Sequence, residues 1–223
     1  KRNNMRILQP IFLYVMCVYV LMAADTNTPP HTMQHHEQIL QSTSSPSLTE
    51  QMMNLMHESM MEVPFVEEDN LDFNYLSNMI PHHQGTIEAA ELFLKHSKNQ
   101  KLRAIAQNII KTQQAEIATY ELLITQLKEQ KKLYSPKEVT LYNAQAKADM
   151  ESMLQAMNEV ALNQSLDRVF LAGMIPHHQG AITASKQILQ YTQNAEIKAI
   201  AQQIISTQEA EIETFQTLLQ TIR

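Results

Sequence analysis

Residues 79–117 and 174–212 align without a gap at a constant offset of 95, and both open with Met-Ile-Pro-His-His-Gln-Gly. Of the 39 aligned positions, 22 are identical. A chain repeated at this level uses one structural unit twice, so whatever the unit folds into must be able to pack against a copy of itself. The repeat also reaches further back. Met53, Met56 and Met60 superpose on Met150, Met153 and Met157 at an offset of 97, provided the connection that follows them is two residues shorter in the second copy. Each copy then holds three helical segments.

Composition leaves little besides helix for these units to form. Only Gly85, Gly173 and Gly180 occur, tryptophan is absent, and Ala, Leu, Ile, Gln, Glu and Met dominate, which predicts an all-α protein. Start signals and apolar spacing place helices at about 47–61, 70–95, 100–132, 136–162, 165–191 and 195–222. Ser47-Leu-Thr-Glu50 has capping-box spacing, and Ser135-Pro136-Lys137-Glu138 adds a proline at the first helical position. The expected division is residues 1–24, 25–46, 47–134 and 135–223, with the last two packed as one bundle.

Residues 1–24 read as an export signal. Lys1, Arg2 and Arg6 precede an apolar run from Ile11 to Ala24 that is short for a membrane span; an uncleaved anchor is the competing reading. Removing this segment leaves 14 basic residues against 23 acidic ones, a net charge of −9, which argues against nucleic acid as a partner. It also removes Cys17, the single cysteine, so neither disulfides nor thiolate sites remain. No membrane association is expected after cleavage. The following stretch, residues 25–46, has no apolar periodicity and reads as a disordered tail. It carries His31, Met33, His35 and His36, a short tract that either captures metal or is an incidental polar linker.

The repeated Met-x2-His-His step carries the clearest chemistry. Met79 with His82 and His83, and Met174 with His177 and His178, each fall within about 100° of helical arc. Pro81 and Pro176 interrupt the helical bonding beside them. A thioether and two imidazoles facing a methionine-rich helix form a donor set for a soft or borderline ion. That helix supplies Met53, Met56, His57 and Met60, and its copy supplies Met150, Met153 and Met157. Core packing is the alternative role for the methionines, because Met is a flexible filler of helical interiors. Asp72, Asp167, Gln113, Gln208, Glu116 and Glu211 are also kept in both copies, and they suit a supporting role in which a carboxylate or amide orients a ligating imidazole. Asp72 and Asp167 also lie near helix starts, where a negative charge is favourable in its own right.

Asp72-x6-Met79-Ile-Pro-His-His-Gln-Gly and Asp167-x6-Met174-Ile-Pro-His-His-Gln-Gly, each followed by Gln-x2-Glu-Ile, resemble the domain of unknown function 305, here in tandem over about residues 49–219. The resemblance implies a ferritin-like helical bundle that is usually exported, and its tandem members include a periplasmic copper-binding protein of copper tolerance. It carries over Met79, His82, His83, Met174, His177 and His178 as metal ligands, joined by methionines of the first and fourth helices. After Glu-Ile the family usually has methionine and then tryptophan. Tyr120 and Phe215 stand in that region here, so no ligand is carried onto the third helix of either copy.

These observations predict an exported copper-binding protein that buffers or sequesters copper, Cu(I) in preference to Cu(II), with a copper-handling protein as a candidate partner. Two other classes compete. One is a ferritin-like di-iron or di-manganese enzyme using Asp72, Glu116, His82 and their copies, although no Glu-x-x-His occurs. The other is a structural or partner-binding bundle with an adaptable methionine surface.

Overall fold

A computed structural model describes residues 45–130 and 133–222. The expected export segment and the tail donors His31, Met33, His35 and His36 lie outside the described residues. Six helices follow one another: α1 (Leu48–Met61), α2 (Leu71–His96), α3 (Gln100–Lys128), α4 (Pro136–Asn158), α5 (Leu166–Ile188) and α6 (Ala195–Leu219). No strand occurs among the described residues, and the architecture is an all-α, ferritin-like bundle.

Local chemistry accounts for the helix starts. The Ser47 hydroxyl accepts from the Glu50 amide while the Glu50 carboxylate accepts from the Ser47 amide at 2.6 Å, and Ser135 and Glu138 repeat that reciprocal pair ahead of Pro136. Asn70, Asn99 and Asn194 cap α2, α3 and α6 through their side-chain oxygens, and Ser165 caps α5. Both α2 and α5 run on through their internal prolines, Pro81 and Pro176. The α1–α2 connection covers residues 62–70 and the α4–α5 connection residues 159–165, the two-residue difference that the repeat alignment requires.

Four expected helix ends lie three or four residues beyond the observed ones. α3 stops at Lys128, α4 at Asn158, α5 at Ile188 and α6 at Leu219, against expected ends at 132, 162, 191 and 222. Their C-cap residues Glu129, Glu159, Leu189 and Gln220 keep right-handed helical dihedrals. No left-handed glycine marks the stop, which is the usual written signal.

Packing is organised around α2 and α5. Helix α2 packs on α1 and α3, α5 packs on α4 and α6, and α2 against α5, with α1 against α5, joins the halves. Tyr75 meets Ser185, His82 meets His177 and Ser97 meets Asp167; residue numbers rise along α2 as they fall along α5, so the pair is antiparallel. Under the 95-residue offset the Ser97–Asp167 contact maps onto Thr192 and Asp72. An approximate two-fold axis therefore passes between His82 and His177. Phe93 and Phe170 stack beside it with centroids 4.0 Å apart.

Two repeated glycines set how closely the flanking helices approach. A Cβ on Gly85 would lie 2.6 Å from the Met56 carbonyl oxygen and 3.0 Å from that of Leu55, so α1 and α2 touch backbone to backbone. A Cβ on Gly180 would instead meet the Met153 side chain, with Sδ at 2.3 Å and Cγ at 2.8 Å. Backbone cannot yield as the end of a methionine can. Gly85→Ala should therefore destabilise the protein by about 1–3 kcal/mol, whereas Gly180→Ala should stay within about 1 kcal/mol of neutral, helped by alanine's helix propensity. Urea denaturation midpoints of the two variants check the difference.

Candidate metal centre

Where α2 and α5 cross, four imidazoles are buried together. The ring centroids of His82 and His177 are 3.8 Å apart at the axis, His83 lies 6.1 Å from His82, and His178 lies 6.5 Å from His177. Glu116 on α3 and Glu211 on α6 end this row, with Oε2 2.9 Å from His83 Nε2 and 2.9 Å from His178 Nε2. The His178 contact has hydrogen-bond geometry; the His83 contact, at the same distance, is out of line for one. A carboxylate that accepts a hydrogen bond from the Nε2–H of a neutral imidazole fixes the tautomer with a free lone pair on Nδ1. His178 Nδ1 is indeed buried without a partner, as is His83 Nδ1.

The central pair is not symmetric. His177 Nδ1 lies 3.2 Å from the Thr86 hydroxyl, leaving only its Nε2 unpartnered, while no side chain partners either ring nitrogen of His82, which meets only the His177 backbone. Burial and the neighbouring imidazoles hold both His82 and His177 well below the usual histidine range, which keeps their lone pairs free. Buried polar atoms without partners are uncommon and cost about 1–3 kcal/mol each. A cluster of them in one place is a donor set facing inward.

Methionines are abundant in the same core. Met52, Met53, Met56, Met60, Met79, Met153, Met157 and Met174 are buried, and Met150 is half-buried. Met53 and Met56 direct their sulfur atoms towards Gly173 on α5. A cleft of about 70 Å³ opens among α1, α2, α4 and α5, lined in part by Met60, Met79, His82, Met150 and Met153; one water needs about 10–15 Å³. His57, half-buried on α1, has its Nε2 buried without a partner.

The remaining conserved-by-repeat polar residues divide. Glu116 and Glu211 reach histidines, as a supporting role requires. Gln113 and Gln208 are buried with their amide oxygens unpartnered. Asp167 instead accepts from the Ser97 hydroxyl at 2.6 Å, and Asp72 faces the hydroxyls of Thr192 and Tyr134, burial raising its pKa above the usual carboxylate value. The contacts described for these two aspartates join helix ends across the halves rather than reaching an imidazole. Among the described residues, no three His, Cys, Asp or Glu side chains form a metal-binding group without the methionines. Thr86 and Tyr120, whose ring lies 5.6 Å from that of His83, were not singled out from sequence. The signal for Thr86 was its replacement by Ala181 in an otherwise identical repeated string.

Residues 72–219 match the family described as domain of unknown function (DUF305). The solved structure of CopM in its Cu(I)-bound form is similar at 28% identity and a TM-score of 0.51, covering 67% of this chain and 96% of that one. CopM is also known in Cu(II)-bound, silver-bound and apo forms. A DUF305 fragment from Deinococcus radiodurans shares the fold at 24% identity and a TM-score of 0.51, over 68% of this chain and 97% of the fragment. An uncharacterised protein of Acanthamoeba polyphaga mimivirus is 45% identical over 53 residues, 24% of this chain, and the chain spans about a third of that relative, 35%.

The buried histidines give a pH dependence with a definite sign. His82 and His177 have folded-state values below the ordinary 6.5, so the unfolded chain binds more protons in mild acid. Their contribution is complete above about pH 6.5 and is lost as pH falls towards the folded values, at about 1.4 kcal/mol per pH unit for each histidine. Chelator-treated protein should thus lose thermal stability steadily below pH 6.5, and replacing His82 by Gln should flatten the slope.

Proposed function

The chain belongs to the DUF305 family, and from that premise we propose that it is an exported copper-binding protein that sequesters or buffers copper through methionine and histidine. The observation that carries this reading is the burial of unpartnered imidazole nitrogens at the α2–α5 crossing, with the thioethers of Met60, Met79, Met150 and Met153 lining the cleft beside His82. Thioether sulfur selects soft Cu(I), and imidazole accepts either copper state. Met79, His82, His83, Met174, His177 and His178 are the central candidates, with Met53, Met56, His57, Met60, Met150, Met153 and Met157 on the flanking helices. Glu116 and Glu211 hold the outer rings, and the buried, unpartnered amide oxygens of Gln113 and Gln208 would lend support. The likeness to CopM, named for Cu(I)-, Cu(II)- and silver-bound forms, supports a soft-metal role for this chain.

No described helix is long and apolar enough to cross a membrane. The tail residues His31, Met33, His35 and His36 would take up Cu(II) by their imidazoles before it passes inward. A di-iron or di-manganese site needs carboxylates around the same ion. Glu116 and Glu211 sit instead at opposite ends of the histidine row, and Asp72 and Asp167 face hydroxyls, so the geometry favours copper binding over that chemistry.

The protein purified from copper-supplemented cells should carry copper rather than iron or manganese by elemental analysis. It should hold Cu(I) against a bicinchoninate competitor. Replacing His82, His83, His177 and His178 together by Ala should remove tight retention while circular dichroism still reports a helical chain. Iron or manganese with oxygen consumption, or no retained metal, would refute the reading.

A further inference from the structure

The repeat places the same five donors on both sides of the two-fold axis, but the two sets are built differently. One set is Met60, Met79, His82, Met150 and Met153; its counterpart under the repeat offsets is Met157, Met174, His177, Met53 and Met56. All of the first set line the open cleft. Every residue of the second is at most 3% exposed.

Two sequence differences and one difference in packing accompany this asymmetry. Thr86 occupies His177 Nδ1, whereas its counterpart Ala181, which lines the cleft beside His82, has no hydroxyl to offer. Gly173 lets the Met53 sulfur seat directly against α5, within 2.6 Å of where a Cβ would stand. Its counterpart Asn78 holds the longer 62–70 connection by bonding both the amide and the carbonyl of Val66 at 2.8 and 2.9 Å, and Val63, Pro64 and Phe65 of that connection form a cleft wall. The third is the depth of helix approach. α1 meets α2 at the backbone of Met56, but α4 is held off α5 by the Met153 side chain, and the cleft lies in the gap.

We propose that the duplicated donors have been divided into one loading site and one packed core: a single soft monovalent cation enters the cleft and binds Met79 and His82 with thioethers drawn from Met60, Met150 and Met153, while Met53, Met56, Met157, Met174 and His177 remain structural. This rests on the copper-binding reading and narrows its candidate ligands, so that Met53, Met56, Met157, Met174 and His177 are withdrawn from the donor set and counted as packing. His82 lines the cleft, and neither of its buried ring nitrogens is taken by a side chain. His177 has one nitrogen occupied and no described cleft beside it. Met153 meets α5 through its side chain rather than its backbone, and a methionine side chain has other rotamers to adopt as the ion arrives.

The test uses the full chain labelled with 13C at its methionine ε-methyl groups and titrated with Ag(I), a redox-inert probe of the Cu(I) site. The first equivalent should shift the methyl resonances of Met60, Met79, Met150 and Met153 and leave those of Met53, Met56, Met157 and Met174 within linewidth. In Cu(I) competition with bicinchoninate, Met79→Leu should weaken the first equivalent about tenfold or more, and Met174→Leu less than about threefold. Ala181→Thr, which supplies His82 with the hydroxyl that His177 already has, should weaken it as well. Shifts in both methyl sets at once, or a larger loss for Met174→Leu, would overturn the division while leaving copper binding intact. No retention of either ion by the unmutated chain would overturn both.

Discussion

The antiparallel crossing of α2 and α5 is the contact on which the rest of the molecule depends, because it forces four imidazoles together inside a helical core. Each histidine costs desolvation, and the structure offsets it in different ways along the row. Glu116 and Glu211 hold the outer rings from α3 and α6, so each three-helix unit contributes its last helix to the support of its own histidine pair. The inner rings have no carboxylate and lean on each other. On either side of them the crossing is locked by the stacked Phe93 and Phe170 rings and by the Tyr75–Ser185 hydroxyl pair at 2.7 Å. The ends are tied by Ser97 to Asp167, with Thr192 facing Asp72. With the helices pinned at several points, the histidines cannot relax away from one another when neutral.

Duplication explains why such a costly arrangement is compact. Two copies related by an axis through His82 and His177 bring both His-His pairs to one place without a long connection. Exact symmetry would also give two identical donor sets competing for the same space. The departures from it are small in sequence: a threonine against an alanine, an asparagine against a glycine, two residues in a connection. Each nonetheless changes a contact at the axis or one turn from it, where a few tenths of an ångström decide whether a sulfur seats against backbone.

Much of this was legible in the sequence. Helix starts were written in capping residues, the six-helix count in the repeat, and the two His-His pairs in a doubled Pro-His-His; that the pairs meet was not, because it depends on how α2 crosses α5. Helix ends were not, because Glu129, Glu159, Leu189 and Gln220 terminate without a glycine. The roles of Asp72 and Asp167 were also hidden, since nothing in their own segments names Ser97 or Thr192 as partners. Those contacts depend on the antiparallel sense of α2 and α5, which periodicity within one helix cannot encode. The cleft was invisible for a related reason: it arises from how far α4 stands from α5, a consequence of one methionine rotamer meeting Gly180.

That last contact separates methionine as filler from methionine as donor. Met52 is fully buried, yet its counterpart at the 97-residue offset is Asp149, so the repeat does not preserve it and packing alone accounts for it. Met56 and Met153 are true counterparts with opposite surroundings. The first presents its carbonyl to Gly85, and its side chain is sealed at no exposure; the second puts its sulfur where Gly180 leaves room, beside a cleft. A leucine would fill either position at similar volume, but at Met153 it would bring branched carbons against Gly180 and offer no lone pair to the cleft. Retaining methionine there, with glycine opposite, is what a mobile thioether donor requires, whereas at Met56 the same pair of residues serves close helix packing.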